Sequence, residues 1–279
     1  MGVHRHGETD RVRRIGKGAL LAAVLIALLL PAGRAFGVAG NIGNTKHNLS
    51  ATGGGYPIQN IHASDPTQTE ICIFCHTPHR ALSAGPLWNH SMSSIVSYTL
   101  YTSTTLLSPL PTGSKPDGDS LLCLSCHDGD QPIGALQNVG GTSTIVSMTG
   151  TNQSGGKLIG PSSFGSDLSG HHPISIEMSN CLAANKQTEC ATPPGPVSWK
   201  LATAVDPAFL KPTANRYNPP GGAYTCAPVD HPGTGVQCSS CHDAHTSNWM
   251  FLRVPTSLDP WGNRTYSDTL CTTCHVACP

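Results

Sequence analysis

Aromatic side chains are scarce in this 279-residue chain, at 5%, and charged side chains supply only 11%. A globular domain ordinarily draws its core from large apolar groups and its surface from charge, so both shortages limit what side chains alone can build. Glycine and proline, by contrast, contribute 30 and 23 residues. Segments such as TGTNQSGGKLIGPSSFGSDLSG, residues 149–170, show no periodic apolar face. Such a chain buries too little side-chain surface to offset the entropy of ordering it. Either it stays largely disordered, or something other than side chains supplies the core.

Long apolar runs are also missing, except at the start. Arg11, Arg13, Arg14 and Lys17 form a basic region ahead of ALLAAVLIALLLP, Ala19 to Pro31, and small residues follow in GRAFGVAG. This pattern reads as a secretory signal, residues 1–39, removed after Ala39 or alternatively after Ala35, and residues 40–279 are expected to form one exported domain. An uncleaved anchor is the other reading, against which the run is short for a bilayer. No later stretch is long and apolar enough to span a membrane. Residues 40–279 hold 10 basic and 14 acidic side chains, a formal charge of −4, which is the wrong sign for a nucleic-acid surface.

Against these shortages stands a surplus of cysteine and histidine, 12 and 14 residues. Eight cysteines form four CxxC pairs, and a histidine follows each: Cys72, Cys75, His76; Cys123, Cys126, His127; Cys238, Cys241, His242; Cys271, Cys274, His275. CxxCH is the attachment motif of c-type haem. Two thiols at this spacing bond to one porphyrin edge, and the next residue presents its imidazole to the iron. Paired CxxC motifs also hold structural zinc, and a lone CxxC serves as a redox switch, but neither needs the histidine. With histidine at one residue in twenty, four chance coincidences have odds of about one in 160,000. Four covalent c-type haems are therefore expected. Large, flat and apolar, they would also supply the core that the side chains do not.

A six-coordinate haem needs a second axial ligand. Besides the four motif histidines and the two near the start, the candidates are His47, His62, His79, His90, His171, His172, His231 and His245. Met92, Met148, Met178 and Met250 stand in no recognisable ligand context, so the histidine surplus favours bis-histidine coordination and lower potentials. His79 and His245 each lie three residues beyond a motif histidine, in CHTPH and CHDAH. A tether of at most ~10 Å does not carry a ring round to the far face of its own haem, so either one that ligates iron serves a neighbouring haem. The alternative is an exposed turn histidine. His47 lies just inside the exported domain; His172 precedes Pro173 and has His171 as its rival; His62, His90 and His231 read as surface or hydrogen-bonding residues.

Cys181, Cys190, Cys226 and Cys278 belong to no haem motif. In an exported protein they suggest two disulfides, with Cys181–Cys190 closing a short loop and Cys226–Cys278 pinning the last motif. Three pairings are open, as are free thiols or an intermolecular bridge.

In order along the chain, KHNLS, CIFCHTPH, PLWNH, LCLSCHDG, SGHHPIS and QCSSCHDAH resemble the tetrahaem outer-surface c-type cytochromes of metal-reducing bacteria. The closest type is outer-membrane cytochrome E, whose members polymerise into extracellular nanowires. The resemblance runs from Lys46 to His275 in islands separated by variable loops. It implies His47, His79, His172 and His245 as distal ligands, favouring His172 over His171, and inter-subunit ligation of a terminal haem. With His47 near one end of the domain and His275 near the other, a head-to-tail contact that does not close gives an open filament.

The expected fold is a multihaem cytochrome: mostly irregular coil with a few short helices and short β-hairpins wrapped around a row of four closely packed haems. The motif gaps of 51, 115 and 33 residues exclude a regular repeat. IVSYTLYTSTT, residues 95–105, has strand-like content, and the long second gap is expected to wrap the row and deliver His172. The expected function is extracellular electron transfer without catalysis, to external acceptors such as metal oxides or to other redox proteins. A monomeric periplasmic tetrahaem carrier is the alternative, and a multihaem reductase is the third reading. The reductase needs one displaceable ligand, whereas all four motifs end in histidine and distal candidates outnumber irons two to one.

Overall fold

The computed structural model describes residues 42–55, 61–103, 106, 108, 110–178, 198–199, 205, 207–213, 234–254, 257–258, 264–265 and 268–276. The expected leader (1–39), His231 and the four cysteines outside the motifs, with their expected disulfides, lie outside the described residues. The described residues belong to one unit, Gly40–Pro279.

Short helices carry the cysteine motifs. Helix α1, Gly118–His127, holds the whole of the second motif; α2, Cys238–Cys241, and α3, Asp268–Cys274, hold the cysteines of the third and fourth. Cys72–Phe74 of the first motif forms a 3₁₀ turn. The CxxC spacing suits a helical turn, which brings residues three apart onto one side. Among the described residues, no helix is long and apolar enough to cross a membrane.

The sheets are small. The longest ladder is the hairpin of Ala135–Val139 and Thr142–Ile145, turned at Gly140 and Gly141, both with positive φ. A three-stranded sheet has the order Lys211–Pro212, Thr234–Val236, Ile176–Glu177, and the other ladders pair two residues with two. The strand expected over residues 95–105 shrinks to Thr99–Leu100, paired in parallel with Asp167–Leu168; residues 104 and 105 lie outside the description. Its approach is occupied otherwise. Ile95 N–H donates to Ser93 Oγ, Tyr98 N–H donates to the Ser114 carbonyl, and the Tyr98 hydroxyl donates to Asp128 at 2.7 Å.

Among the described residues, side-chain burial is divided into three clusters. Tyr98, Leu100, Leu124 and Leu168 form the first, Ile61, Ile133 and Leu158 the second, and Ala63, Phe74 and Leu136 the third. A single-domain protein usually has one contiguous core. Here the described apolar groups form small clusters, the second and third sharing Leu49 and Met148 at their edges.

A polar network joins α1 to α2. Gln237, 1% exposed, accepts from Ser120 N–H and Oγ and from Ser175 Oγ, and donates to Asp117 Oδ1 at 2.8 Å. Its backbone N–H bonds Ser240 Oγ, completing a capping box on α2. Ser120 Oγ in turn receives Cys238 N–H at 2.9 Å, so α1 and α2 are locked together where their motifs begin.

Candidate haem-binding site

Three of the four motif histidines face another histidine. The ring centroids are 6.2 Å apart for His76 and His245, 6.2 Å for His127 and His47, and 6.3 Å for His275 and His172. An imidazole nitrogen lies about 2.0 Å from a bound metal and about 1.1 Å from its own ring centre, so two rings on opposite sides of one metal stand about 6.2 Å apart. The spacing fits a haem iron between each pair. Interplanar angles differ: 13° for the first pair, 80° for the second and 66° for the third.

Hydrogen bonding leaves the right nitrogen available. His76 Nδ1 bonds the Pro86 carbonyl at 3.1 Å, His127 Nδ1 that of Ser162 at 2.8 Å, and His242 Nδ1 that of Met250 at 2.8 Å. On the facing rings, His47 Nδ1 contacts the Ala244 carbonyl at 3.4 Å, His172 Nδ1 the Pro173 carbonyl at 2.8 Å, and His245 Nδ1 the Asp243 carboxylate at 3.2 Å. A backbone or carboxylate acceptor at one ring nitrogen fixes the tautomer and leaves Nε2 as the metal donor. His90 is different: fully buried, it bonds Ser91 O through Nδ1 and Pro132 O through Nε2, which makes it structural. His62 stands in a strand opposite Thr149, and His171 packs 4.8 Å from Phe164.

His242 and His79 stand apart from these pairs. Among the described residues no histidine ring faces either of them at the separation of the three pairs, and His79 is exposed. The hydrogen bonds around the first and third motifs nevertheless place His76 and His242 in equivalent settings.

Segments 72–89 and 238–253 are built alike. His76 N–H bonds Cys72 O and His242 N–H bonds Cys238 O; Asn89 N–H bonds Cys75 O and Arg253 N–H bonds Cys241 O, both at 2.9 Å. Thr77 N–H bonds Leu87 O, and Asp243 N–H bonds Phe251 O. Asn89 Nδ2 donates to Ile73 O at 2.6 Å where Arg253 Nε donates to Ser239 O at 2.5 Å. Leu87 and Phe251 share a left-handed backbone, φ 55° and 59°, which turns the chain so that the preceding carbonyl meets the motif histidine. Each segment is thus a closed module: motif, tethered histidine, loop and returning strand. The loop is two residues longer in the first, which hides the likeness from a reading of spacing. Asn89, Phe251 and Arg253 were not singled out from the sequence for the same reason, and Gln237 because its partners Ser175 and Asp117 lie 62 and 120 positions away.

The tetrapeptide His242–Asp243–Ala244–His245 reaches three sites. His242 belongs to the third motif, Ala244 O supports His47 opposite His127, and His245 faces His76. Phe251 stacks on His47, ring centres 4.1 Å apart. Burial and repulsion from His127 hold the His47 pKa down at about 4, and burial lowers that of His127 too, keeping both neutral as metal ligands must be.

The thiols lie close in succession. Cys123 and Cys238 are hydrogen-bonded to each other, which raises the first pKa and lowers the second. Burial, then the neighbouring Cys126, pushes Cys75 up to about 12; burial pushes Cys126 to about 12 and Cys241 to about 11, the latter also feeling Cys274. Trp88 Nε1 is buried with no acceptor, its ring 6.1 Å from His76. A carboxylate-bearing group such as haem at that site would satisfy it.

A family model described as a doubled CXXCH motif matches residues 231–277, the third and fourth motifs. No curated protein matches the chain. The motifs indicate covalently bound c-type haem, and the protein is read as a haem-binding electron-transfer cytochrome with few helices and small sheets.

Proposed function

We propose that the chain holds four bis-histidine haems and conducts electrons along them, polymerising head to tail outside the cell. Cys72/Cys75, Cys123/Cys126, Cys238/Cys241 and Cys271/Cys274 would hold the porphyrins, with His76, His127, His242 and His275 as proximal ligands. Haem supplies one-electron redox chemistry at low potential when ligated by two histidines. The protein supplies the spacing: cysteines of successive motifs approach one another, Cys75 with Cys126, Cys123 with Cys238, and Cys241 with Cys274. That succession supports an electron path in the order of the motifs.

The observation that carries the polymer is the asymmetry between two equivalent modules. In one, the tethered His245 faces a motif histidine of the same chain; in the other, His79 faces none, and among the described residues no histidine ring faces His242. A second copy satisfies both, with His79 of one molecule completing the His242 site of the next. Such a heterologous contact does not close and grows as a filament. The ligand set is then His47, His79, His172 and His245, and the acceptors are metal oxides or other redox proteins beyond the cell surface.

Electron cryomicroscopy of the secreted fraction tests this. Filaments with a continuous haem row, lost in H79A, support it; discrete wild-type particles with four low-spin haems refute it and select the periplasmic carrier. A reductase would need one haem with a displaceable ligand, and His242, which no histidine ring faces among the described residues, is where that reading would place it. A five-coordinate, high-spin ferric haem in the assembled wild-type protein would select that reading.

A further inference from the structure

The two equivalent modules differ in one charge. At the position where the returning strand clamps the cysteine loop, the first module has Asn89 and the second has Arg253. Both donate to the carbonyl of the residue following the first cysteine, Ile73 or Ser239, and both bond the carbonyl of the second cysteine through the backbone. The clamp itself needs only an N–H donor, which neutral Asn89 provides at full burial. Arg253 adds a permanent positive charge held against the loop that carries Cys238 and Cys241, with its side chain only 21% exposed.

We propose that Arg253 is a potential-setting residue, raising the reduction potential of the haem held by Cys238, Cys241 and His242. The inference rests on the reading of that motif as a haem site. Reducing ferric to ferrous iron adds one negative charge, and a nearby fixed cation stabilises the reduced form relative to the oxidised one. The surrounding charges do not cancel the effect of removing it. Asp243 Oδ2 is 3.8 Å from Arg253 Nη1, and Asp119 bonds Ser239 Oγ at 2.5 Å, so loss of the guanidinium leaves two carboxylates facing the loop. Lys211 is the other cation in the group, feeling Arg253, Asp119 and Asp243 together. At the first module the corresponding clamp is neutral, so the two sites, alike in backbone, are set apart electrically. Arginine suits the task because it stays charged when partly buried and its planar fork bonds a carbonyl and a carboxylate together.

The experiment is an equilibrium redox titration of the full, haem-loaded protein followed at the haem absorption bands, comparing wild type with R253Q, R253K and D243N. In R253Q one component moves to lower potential and the rest stay; in R253K it remains at the wild-type position, because the charge is kept while the fork is lost. D243N, which retains an acceptor for His245 N–H, moves the same component upward. Unchanged components in both R253Q and D243N, or an equal downward shift in R253Q and R253K, overturn the proposal. Mass spectrometry of the peptide containing Cys238 and Cys241 separates the two levels of the argument. Haem mass on that peptide without a potential shift sinks only the role of Arg253; a peptide without haem removes the site as well.

Discussion

Replacing His245 with alanine separates chain neighbourhood from spatial neighbourhood. His245 is three residues from His242, but its ring faces His76, 6.2 Å away, 169 positions earlier in the chain. The variant should therefore strip an axial ligand from the haem on Cys72 and Cys75 and leave the haem on Cys238 and Cys241 untouched. Ring orientation makes the loss identifiable. Parallel imidazole planes split the iron d orbitals that share the axial direction, giving a rhombic low-spin ferric signal; near-perpendicular planes leave them almost degenerate, giving a strongly anisotropic signal with one large g value. The His76–His245 planes are 13° from parallel, whereas the other two pairs stand at 80° and 66°. Continuous-wave electron paramagnetic resonance of the oxidised protein should show one haem in four converting to high spin, with rhombic intensity falling by one haem. Loss of a large-g signal instead, with the rhombic intensity undiminished, would refute the pairing, and four unaltered low-spin haems would refute ligation by His245 altogether.

Three further outcomes follow from the same geometry. H172A should convert one low-spin haem, that of His275, to high spin, while H171A should leave every low-spin signal in place, since His171 packs on Phe164 instead. Q237A should lower stability by about 2–3 kcal/mol in chemical denaturation at unchanged haem content, because buried Ser120 and Asp117 groups lose their partner. His47, lowered from 6.5 to about 4, binds a proton in the unfolded chain before it does in the native one. Its contribution is therefore full above about pH 6.5 and is lost as the pH falls toward 4, by at most about 3 kcal/mol. Denaturation midpoints of wild type and H47M at pH 7, 5.5 and 4.5 measure this, and an equally steep decline in H47M would refute it.

The haem-attachment motifs were legible in the sequence because their chemistry is local: two thiols and an imidazole within five residues. Scarcity of aromatic and charged residues, likewise, pointed to a chain without a continuous side-chain core, and the described apolar groups form three small clusters. The facing of His47 to His127 depends on bringing together residues 80 positions apart, which no local pattern encodes. For His245 the short tether excluded its own haem, and chain geometry alone stopped there. Residues 95–105 show where composition misleads. β-Branched content favours extended chain, but Ile95 and Tyr98 found side-chain and loop partners for their N–H groups, so only Thr99–Leu100 pairs as a strand. Asn89 and Arg253 were invisible because neither residue type implies the role. What defines them is a bond to one particular carbonyl, and the loops preceding them differ in length.

The tetrapeptide from His242 to His245 has a mechanical consequence. Tunnelling between redox centres falls steeply with distance, so independent jitter of the centres would make the slowest instantaneous gap govern the current. One four-residue strut here contacts the sites of His76, His127 and His242, and it is braced by Asp243 N–H to Phe251 O at 2.7 Å and by Arg253 N–H to Cys241 O at 2.9 Å. Displacement of that strut would move the sites of His76, His127 and His242 together. With haem at each, thermal motion would be largely shared among the three, and the intervals between them would vary less than the backbone moves.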